Sequence, residues 1–386
     1  METNTVKGFR DIEDATKRIL IRNLIEETFQ LYNFTPVQTP IVEYEEFVKG
    51  ENQNDEAVSD IFRLKDKGER KLALRYEFTF QLKRLINNKK LPYRRYQIGE
   101  VFRDEPISGN RWREFTQCDA DIVNSSLKDQ IEVFKMMKKI FDELKIKFTI
   151  NINNRKLLNE ILDDLNINPK NRQEVIKEID KLDKLSEKEI KENLKKFNGE
   201  KILDILKKEE EFFEKYEGYK EIKELKKLAN ESKMKLNFVP FLARGLSYYT
   251  GTIFEIKGEL KETITGGGAY NVNNLPSFGI SFGLDRIELL AKLNISDKKV
   301  LVISLDQDKK ASEIAGKIRE MKIPCSIYYG KPTKALEYAN SYNIPFAIFI
   351  GEEEVKNKKL KIKNLKNREE KIITEKDLEK YLINQP

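Results

Sequence analysis

Apolar residues recur at either helical or extended spacing along the chain, and the two spacings divide it into segments. Residues 11–32 and 127–144 repeat apolar side chains every three to four positions, which predicts two amphipathic helices. Residues 61–64 and 72–74 predict a hairpin, and the segment after Leu74 predicts a helix that begins near Thr79 and runs through Ile86. We expect a further strand near residues 147–152.

The second half of the chain changes character twice. Residues 153–235 are rich in Lys and Glu, nearly free of Gly and helical in period, so we expect an inserted all-helical domain. It is either a solvated bundle or, through a basic face, a contact for nucleic acid. Strand character returns in residues 236–296. Residues 298–386 alternate strands with helices, which predicts a separate unit with a mostly parallel sheet. Residues 1–152 form the first of the four predicted segments of the chain.

Two stretches in these regions remain open to more than one interpretation. The triple glycine Gly266-Gly267-Gly268 indicates a bulge, a close backbone approach to a ligand, or a simple turn. Residues 356–371 are strongly basic, which suits a phosphate backbone but equally suits an edge hairpin protected by lysines.

The stretch from 93 to 124 carries the most distinctive polar pattern. It predicts two extended runs, residues 96–103 and 111–123, joined by a polar loop. Side chains two apart share one face of a strand. In the second run that face mixes cations, a ring, an amide and carboxylates: Arg111, Arg113, Phe115, Gln117, Asp119 and Asp121. Such a row suits a ligand with anionic, flat and cationic parts, although a solvated charged face would give the same pattern.

The amino-acid composition excludes several kinds of catalytic site. The 386 residues carry a net charge of +7 and contain no histidine, which removes Ser-His and Cys-His nucleophile pairs and most zinc sites. Catalysis therefore has to rest on positioning and on charge stabilisation by groups such as Arg and Asp. Cys118 and Cys325 have no metal-type spacing. No apolar run has the length of a membrane span, and we expect a cytoplasmic protein without membrane association.

Three motifs resemble those of class II aminoacyl-tRNA synthetases. The long first helix followed by FTPVQTPIVEYEEF resembles the first motif, which ends at a proline, here Pro40. The second and third resemblances are VFRDEPISGNRWREFTQCDADI and FGISFGLDRIELL. Within the class, LARGLSYYTGTIFE and GGGAYNV resemble the signatures of the histidyl-tRNA synthetase family. The resemblance covers nearly the whole chain and is weakest in the helical insertion.

The resemblance implies a fold, a reaction and partners. The fold would be an α+β class II catalytic domain, an antiparallel sheet flanked by helices, with an all-helical insertion and a C-terminal α/β anticodon-binding domain. The reaction would join L-histidine to tRNA(His) through a histidyl-adenylate, using ATP with Mg²⁺ bound through its phosphates. The chain would form a homodimer through the region of the first motif.

The resemblance also implies roles for individual residues. Arg244 and Arg103 would be catalytic. The ATP-binding residues would be Arg103, Glu105, Arg111, Phe115 and Arg286. The histidine-binding residues would be Glu77, Thr79, Gln117, Asp121, Arg244, Tyr248 and Tyr249. Gln117, Glu77 and Thr79 would contact the α-amino group, and Asp121 and Tyr249 the imidazole, whereas Asp119 receives no role.

The chain departs from the family pattern at a few positions. Asp121 is one methylene shorter than the usual Glu, and Ser247 and Asn271 replace aspartates. Residues 106–108 differ where many relatives approach the extra 5′ guanylate of tRNA(His). Two alternatives remain: a non-catalytic paralogue such as the regulatory subunit of ATP phosphoribosyltransferase, and a class II ligase for another amino acid. The arginines and the RGLSYYTGTIFE stretch argue against them.

Overall fold

The chain forms two compact units in a computed structural model. The structure describes residues 3–50, 56–107, 111–182, 185–244, 248–259, 263–293 and 298–383. One unit spans Met1–Leu293 and the other Asn294–Pro386. Each has its own hydrophobic core.

The described strands are β1 Thr35–Pro36, β2 Val42–Tyr44, β3 Arg63–Lys65, β4 Lys71–Leu74, β5 Tyr93–Phe102, β6 Glu114–Val123, β7 Thr149–Asn154, β8 Leu236–Phe238, β9 Tyr249–Lys257, β10 Thr265–Val272, β11 Leu275–Gly283, β12 Val300–Ser304, β13 Cys325–Tyr329, β14 Phe346–Ile350, β15 Lys359–Asn364 and β16 Glu370–Thr374.

The described α-helices are α1 Thr16–Leu31, α2 Glu45–Lys49, α3 Glu56–Ser59, α4 Leu82–Leu85, α5 Leu127–Glu143, α6 Arg155–Asp164, α7 Arg172–Ile179, α8 Glu187–Lys195, α9 Ile202–Leu206, α10 Glu217–Glu231, α11 Leu284–Leu290, α12 Asp308–Glu320, α13 Pro332–Ser341, α14 Glu352–Asn357 and α15 Leu378–Ile383. Within the described ranges, no helix is long and apolar enough to cross a bilayer.

An eight-stranded sheet organises the first unit, with strand order β1-β5-β6-β11-β10-β9-β7-β8. The pairs β1–β5 and β7–β8 are parallel and the other neighbours antiparallel. Helix α1 buries Ile21, Ile25 and Phe29 at helical spacing, and α5 begins at a capping box between Ser126 and Asp129. The predicted α+β fold, with helices flanking a largely antiparallel sheet, is confirmed.

The helices α6–α10 follow one another between β7 and β8, as the helical period of this segment predicts. Their buried apolar residues belong to the same hydrophobic cluster as those of the eight-stranded sheet. Val175, Ile190 and Ile222, for example, join a core that also contains Phe254 and Phe278. The helical segment therefore packs continuously onto the sheet.

Some element boundaries differ from the predictions. The helix expected from Thr79 through Ile86 is only the four-residue α4. Phe78 and Gln81 are fully buried, and the Gln81 amide bonds to the Pro40 carbonyl and to Glu43, so tertiary contacts hold the preceding chain in a non-helical path. Strand β6 begins at Glu114, which leaves residues 111–113 outside it.

The second unit is a five-stranded sheet with order β13-β12-β14-β15-β16. Its pairs β12–β13 and β12–β14 are parallel, but β14–β15 and β15–β16 are antiparallel. The expectation of a mostly parallel sheet was wrong here, because β15 and β16 form an antiparallel edge hairpin, which was one of the two interpretations of the basic segment. The basic segment 356–371 contains most of this hairpin, and β16 is its edge.

Candidate active site

A cavity of about 70 Å³ lies against the central strands of the eight-stranded sheet. Residues of β6, β10 and β11 line it, together with the first residue of β9 and with residues that follow β4 and β5 or precede β9. The lining residues are Glu77, Thr79, Arg103, Gln117, Asp119, Asp121, Arg244, Tyr248, Tyr249, Gly266, Gly267, Tyr270, Gly279, Ile280 and Ser281. The structure thus brings together every residue that the resemblance assigns to histidine binding, and both of the arginines it assigns to catalysis.

Strand alternation explains how β6 supplies three of these groups. Gln117, Asp119 and Asp121 lie two residues apart on one face, and all three are buried. In the register with β11, Asp119 lies opposite Ser281 and Asp121 opposite Gly279. The predicted row is therefore correct for these three residues, which are buried and line the cavity.

Glycines leave the room that the cavity needs. A Cβ atom on Gly279 would overlap Asp121 Oδ1, and one on Gly266 would overlap the Arg244 guanidinium. A Cβ on Gly267 would collide with the Gly279 carbonyl across the strand pair. The pairing of β10 with β9 also shifts register just after these positions. The triple glycine is thus a close-approach segment beside a bulge.

Asp121, the last of the three β6 residues, contacts Arg95 and Tyr270. Its Oδ2 atom lies 2.8 Å from a guanidinium nitrogen of Arg95, and neither side chain has more than 4% of its surface exposed. The Tyr270 hydroxyl donates to Asp121 Oδ1. Burial raises the pKa of Asp121, while Arg95 and Tyr270 oppose that rise. A buried carboxylate with a guanidinium and a hydroxyl is a rigid acceptor.

The other two carboxyls carry strongly perturbed pKa values. Burial raises the pKa of Glu77 to about 7, with Arg103 opposing the shift, and Tyr248 donates to Glu77 at 3.3 Å. Burial and the neighbouring Asp121 raise the pKa of Asp119 to about 7. Gln117 Nε2 donates to Asp119 Oδ2 at 2.8 Å. Buried carboxyls with such pKa values are suited to binding a cation.

Both the guanidinium and the backbone carbonyl of Arg244 have partners. Its guanidinium lies 3.1 Å from Glu255 and 5.9 Å from the centre of the Tyr249 ring. Its backbone carbonyl accepts a 3.2 Å hydrogen bond from Arg155, at the start of α6. Burial lowers the pKa of Arg244, but the fields of Tyr249 and Glu255, among others, outweigh burial and raise it. Arg244 is therefore a permanent, oriented cation.

The predicted nucleotide-binding residues lie around the cavity, and only Arg103 lines it. The Arg103 guanidinium lies 5.2 Å from the centre of the Phe115 ring. Glu105 contacts Arg111 at 3.2 Å and Arg103 at 3.8 Å. Arg286, in the first turn of α11, donates to the Thr263 carbonyl. Thr263 in turn bonds to Glu255 at 2.9 Å, so Arg286 and Arg244 share one network.

Sequence reasoning missed the buried partners in the site. Arg95 and Tyr270 were given no role, although each has a signal: an arginine inside a strand and a tyrosine next to the glycine run. Arg155, at the start of a helical segment, gave no sign of a contact with Arg244. Ser247 and residues 108–110 lie outside the described residues. The described carboxylates and thiols include no group of three or more that could hold a metal ion.

Comparisons with known proteins agree on one family. Residues 8–287 match the histidyl-tRNA synthetase family, and residues 299–385 match an anticodon-binding domain. Histidine–tRNA ligase 1 of Bacillus cereus is 35% identical over 96% of this chain and 95% of its own. The crystal structure of a histidyl-tRNA synthetase from Nostoc has a TM-score of 0.84 at 25% identity, and covers 99% of both chains.

A further structural similarity bears on the alternative interpretation that the chain is a non-catalytic paralogue. The structure described as an ATP phosphoribosyltransferase regulatory subunit/histidyl-tRNA synthetase from Bacillus halodurans has a TM-score of 0.75 at 19% identity. It covers 90% of this chain and 98% of its own. At that identity the likeness is one of fold alone. The sequence relatives favour the ligase.

Proposed function

This chain belongs to the histidyl-tRNA synthetase family and is a histidine–tRNA ligase, and we propose that it charges tRNA through a histidyl-adenylate. The observation that carries the mechanism is a buried cavity that combines three carboxyl groups with two permanent cations, Arg103 and Arg244. The histidine carboxylate is already an anion and needs no protein base to attack the α-phosphate of ATP. The work left to the protein is to hold the reactants in line and to stabilise charge.

The histidine would be bound through its two polar ends. Glu77, Thr79 and Gln117 would accept hydrogen bonds from the α-ammonium group, which fits the raised pKa of the Glu77 carboxyl. Asp121 and the Tyr249 hydroxyl would bracket the imidazole. The Arg95 and Tyr270 contacts support this assignment, because they fix Asp121 as an acceptor. A ligand that leaves such buried groups unpaired is rejected strongly.

Arg244 and Arg103 would act on the reacting atoms. Guanidinium groups stay charged at all working pH values and bind two oxygens at once. Arg244 would stabilise the negative charge that builds up as the carboxylate attacks, and Arg103 would bind the α-phosphate. The network of Glu255 and Tyr249 around Arg244 supports this role, because it restricts the guanidinium before the substrate arrives.

ATP would lie next to the histidine, over Phe115. Stacking of a base on an aromatic ring contributes roughly 1–3 kcal/mol. Arg111 and Arg286 would bind the outer phosphates, and Glu105 would contact the adenine side. Mg²⁺ would arrive with the ATP phosphates and offset their charge.

The test is histidine-dependent exchange of pyrophosphate into ATP by the full chain. We expect exchange with histidine alone among the amino acids. Arg244→Ala should lower exchange by about 10²–10³-fold, the usual effect of removing one charge-stabilising group, while ATP binding stays largely intact. Arg70→Ala is the matched control, since Arg70 is exposed and pairs with the nearby Asp66 on the surface.

Two results would contradict the proposal. Absence of exchange with histidine would favour a non-catalytic paralogue, and exchange with another amino acid would favour a different class II ligase. Full activity of the Arg244→Ala variant would remove Arg244 from the mechanism while leaving the reaction itself in place.

The tRNA partner would be tRNA(His), and the place of action the cytoplasm, where tRNA is charged for translation.

The chain would act as a homodimer through α1 and the strand β2. Strand β2 supports this, because its exposed side chains are Val42 and Tyr44 while Glu43 between them is buried. In a strand of a monomer, apolar residues would face the core.

A further inference from the structure

Asp119 is a buried carboxylate in the active-site cavity to which the family resemblance gives no role. It lies between Gln117 and Asp121 on β6 and has 4% of its surface exposed. Its Oδ2 atom accepts the hydrogen bond from Gln117 Nε2. Its Oδ1 atom is fully buried and has no hydrogen-bond partner within the described part of the chain. Buried polar atoms without partners are rare and call for an explanation.

The neighbouring carboxylate of Asp121 has a charged partner and a hydroxyl donor, although its Oδ2 atom also lacks a hydrogen bond within the described part of the chain. One oxygen of Asp121 faces Arg95 at 2.8 Å, and the other accepts from Tyr270. Asp119 accepts from the Gln117 amide on one oxygen, and hydrogen bonding to Ser281 and Gln117 lowers its pKa against the effect of burial. The two aspartates differ in their ion pairs, since Asp121 lies 2.8 Å from Arg95 whereas Asp119 has no guanidinium or ammonium group within 4 Å among the described residues.

The contact with Gln117 fixes the orientation of that amide. When Asp119 is ionised its carboxylate only accepts hydrogen bonds, so the Gln117 atom that faces it is then the NH₂ group. Gln117 Oε1 is then the atom left for a ligand, and it is an acceptor. A glutamine in the flipped orientation would present NH₂ to the ligand and repel an ammonium group.

We propose that Asp119 is a specificity-determining residue for the α-ammonium group of histidine, through Gln117 on one oxygen and through its own open oxygen on the other. This inference rests on the proposed function, because it takes histidine as the ligand. Asp119 Oδ2 holds Gln117 with Oε1 toward the ammonium group. Asp119 Oδ1 adds negative charge at the same end of the ligand.

The surrounding charges agree with a cationic ligand at this place. Glu77, from the segment after β4, and Asp121, on the same strand, both interact unfavourably with an ionised Asp119. Arg95 from β5 opposes them, and Arg103 acts on Glu77. The groups that act directly on Asp119 are therefore two carboxyls and one guanidinium, while Arg103 and Arg244 also line the cavity. Arrival of an ammonium group favours the ionised state of Asp119 and Glu77.

The experiment uses the full chain and compares two ligands that differ only in the ammonium group: histidine and imidazole-lactate, which has a hydroxyl in its place. Binding is measured by calorimetry for wild type and Asp119→Asn. The introduced amide can still accept from Gln117, but it turns the open acceptor into a donor. We expect histidine binding to weaken by roughly 10–100-fold, the range for a hydrogen bond to a charged group, and imidazole-lactate binding to change little.

The pH dependence supplies a second readout that a merely structural role would not change. Raised carboxyl pKa values near 7 mean that histidine affinity rises as pH increases through about 7, with release of protons on binding. Imidazole-lactate carries the same imidazole and corrects for titration of the ligand ring. In Asp119→Asn the difference in proton release between the two ligands should shrink, with Glu77 and Asp121 left to contribute.

Controls separate the outcomes. Asp142→Asn, on the exposed face of α5, is the matched substitution and should bind both ligands as wild type does. An equal loss of affinity for both ligands would overturn the proposal, because Asp119 would then act on the imidazole or on the fold. Unchanged affinity for both ligands would overturn it as well. Failure of the proposed function is distinct, since the wild-type chain would then neither bind histidine nor exchange pyrophosphate.

Discussion

Position 279 shows how much a single missing side chain matters in this cavity. A Cβ atom there would overlap Asp121 Oδ1 and come within 3.2 Å of the Tyr270 ring. Gly279→Ala should therefore displace the carboxylate proposed to face the imidazole. We expect the KM for histidine in pyrophosphate exchange to rise at least about 10-fold, in keeping with the loss of a hydrogen bond to a charged group.

The control for this substitution is Gly316→Ala. A Cβ atom at Gly316, inside α12, would meet nothing within 4 Å. Alanine there should stabilise its helix by up to about 1 kcal/mol and leave the KM for histidine unchanged. If Gly279→Ala kept the wild-type KM, the position of Asp121 could not be setting the affinity for histidine.

At the residue scale, the sequence predicted one strand of the site and missed its neighbours. Alternation along β6 placed Gln117, Asp119 and Asp121 on one face because that period is a local property. Arg95 contacts Asp121 only because β5 pairs with β6 in one particular register, in which these two residues lie opposite each other. Tyr270 reaches Asp121 across β11, which lies between their strands. Register between strands was not readable from either strand alone.

At the scale of elements, the start of α6 holds the segment that carries Arg244. Arg155 is buried, with 5% of its surface exposed, and it bonds both to the Arg244 carbonyl and to Gln173 on α7. Asn153, just before it, donates to the carbonyls of Pro240 and Leu242. The helical segment thus contributes to the position of a proposed catalytic residue that lies far from it in sequence.

This arrangement predicts a defect in turnover for changes at Arg155. Arg155→Lys keeps the charge but cannot reach both partners in the same fork geometry. We expect kcat for pyrophosphate exchange to fall by roughly 10–100-fold, as for a misplacement of a reacting group by about 1 Å, with the KM values for histidine and ATP nearly unchanged. Lys156→Ala, at the exposed neighbouring position, is the control.

Gln173→Ala should give a smaller loss in the same parameter, because it removes only the outer contact. Thermal unfolding of each variant identifies a defect of folding. A fall in thermal stability with wild-type kcat would mean that Arg155 supports the fold and not the catalytic arginine.

Elements themselves were predicted with uneven success, for physical reasons. Helices α1 and α5 followed from a long amphipathic period, which tertiary contacts reinforce. Strand β16 was not assigned by its own pattern, because Glu370, Lys371 and Ile372 are all exposed and show no alternation. It forms because β15 offers an open edge, and Lys361 and Lys363 both contact Glu370 at 2.9 Å. Whether such a strand forms is determined by its pairing with the neighbouring strand and not by its own sequence pattern.

At the scale of the molecule, the lack of histidine shapes the response to pH. No side chain with an ordinary pKa near 6.5 is present, so titration of side chains near neutral pH has to come from perturbed groups. Glu77 and Asp119 are two such groups, both with pKa values of about 7, and both lie in the cavity. The pH dependence of the whole enzyme between about pH 6 and 8 is therefore expected to report on its histidine-binding site.

The strand β2 leads to a prediction about assembly. Ile41, Val42 and Tyr44 are each more than 40% exposed, whereas Glu43 is buried against Gln81 and Arg84. A strand with its polar residue inward and apolar residues outward is suited to a second protein surface. Since most homo-oligomers are symmetric dimers, a second copy of the chain is the occupant we propose.

Val42→Lys places a charge in the centre of this apolar strip, so it should shift the chain from dimer to monomer in sedimentation at micromolar concentration. The wild-type dimer should have twice the monomer mass of 45.4 kDa. Ile372→Lys is the matched control, since Ile372 is 66% exposed on β16 of the second unit. It should leave the dimer intact. A monomeric wild-type chain, or a Val42→Lys variant that stays dimeric, would show that the apolar face of β2 is not the interface.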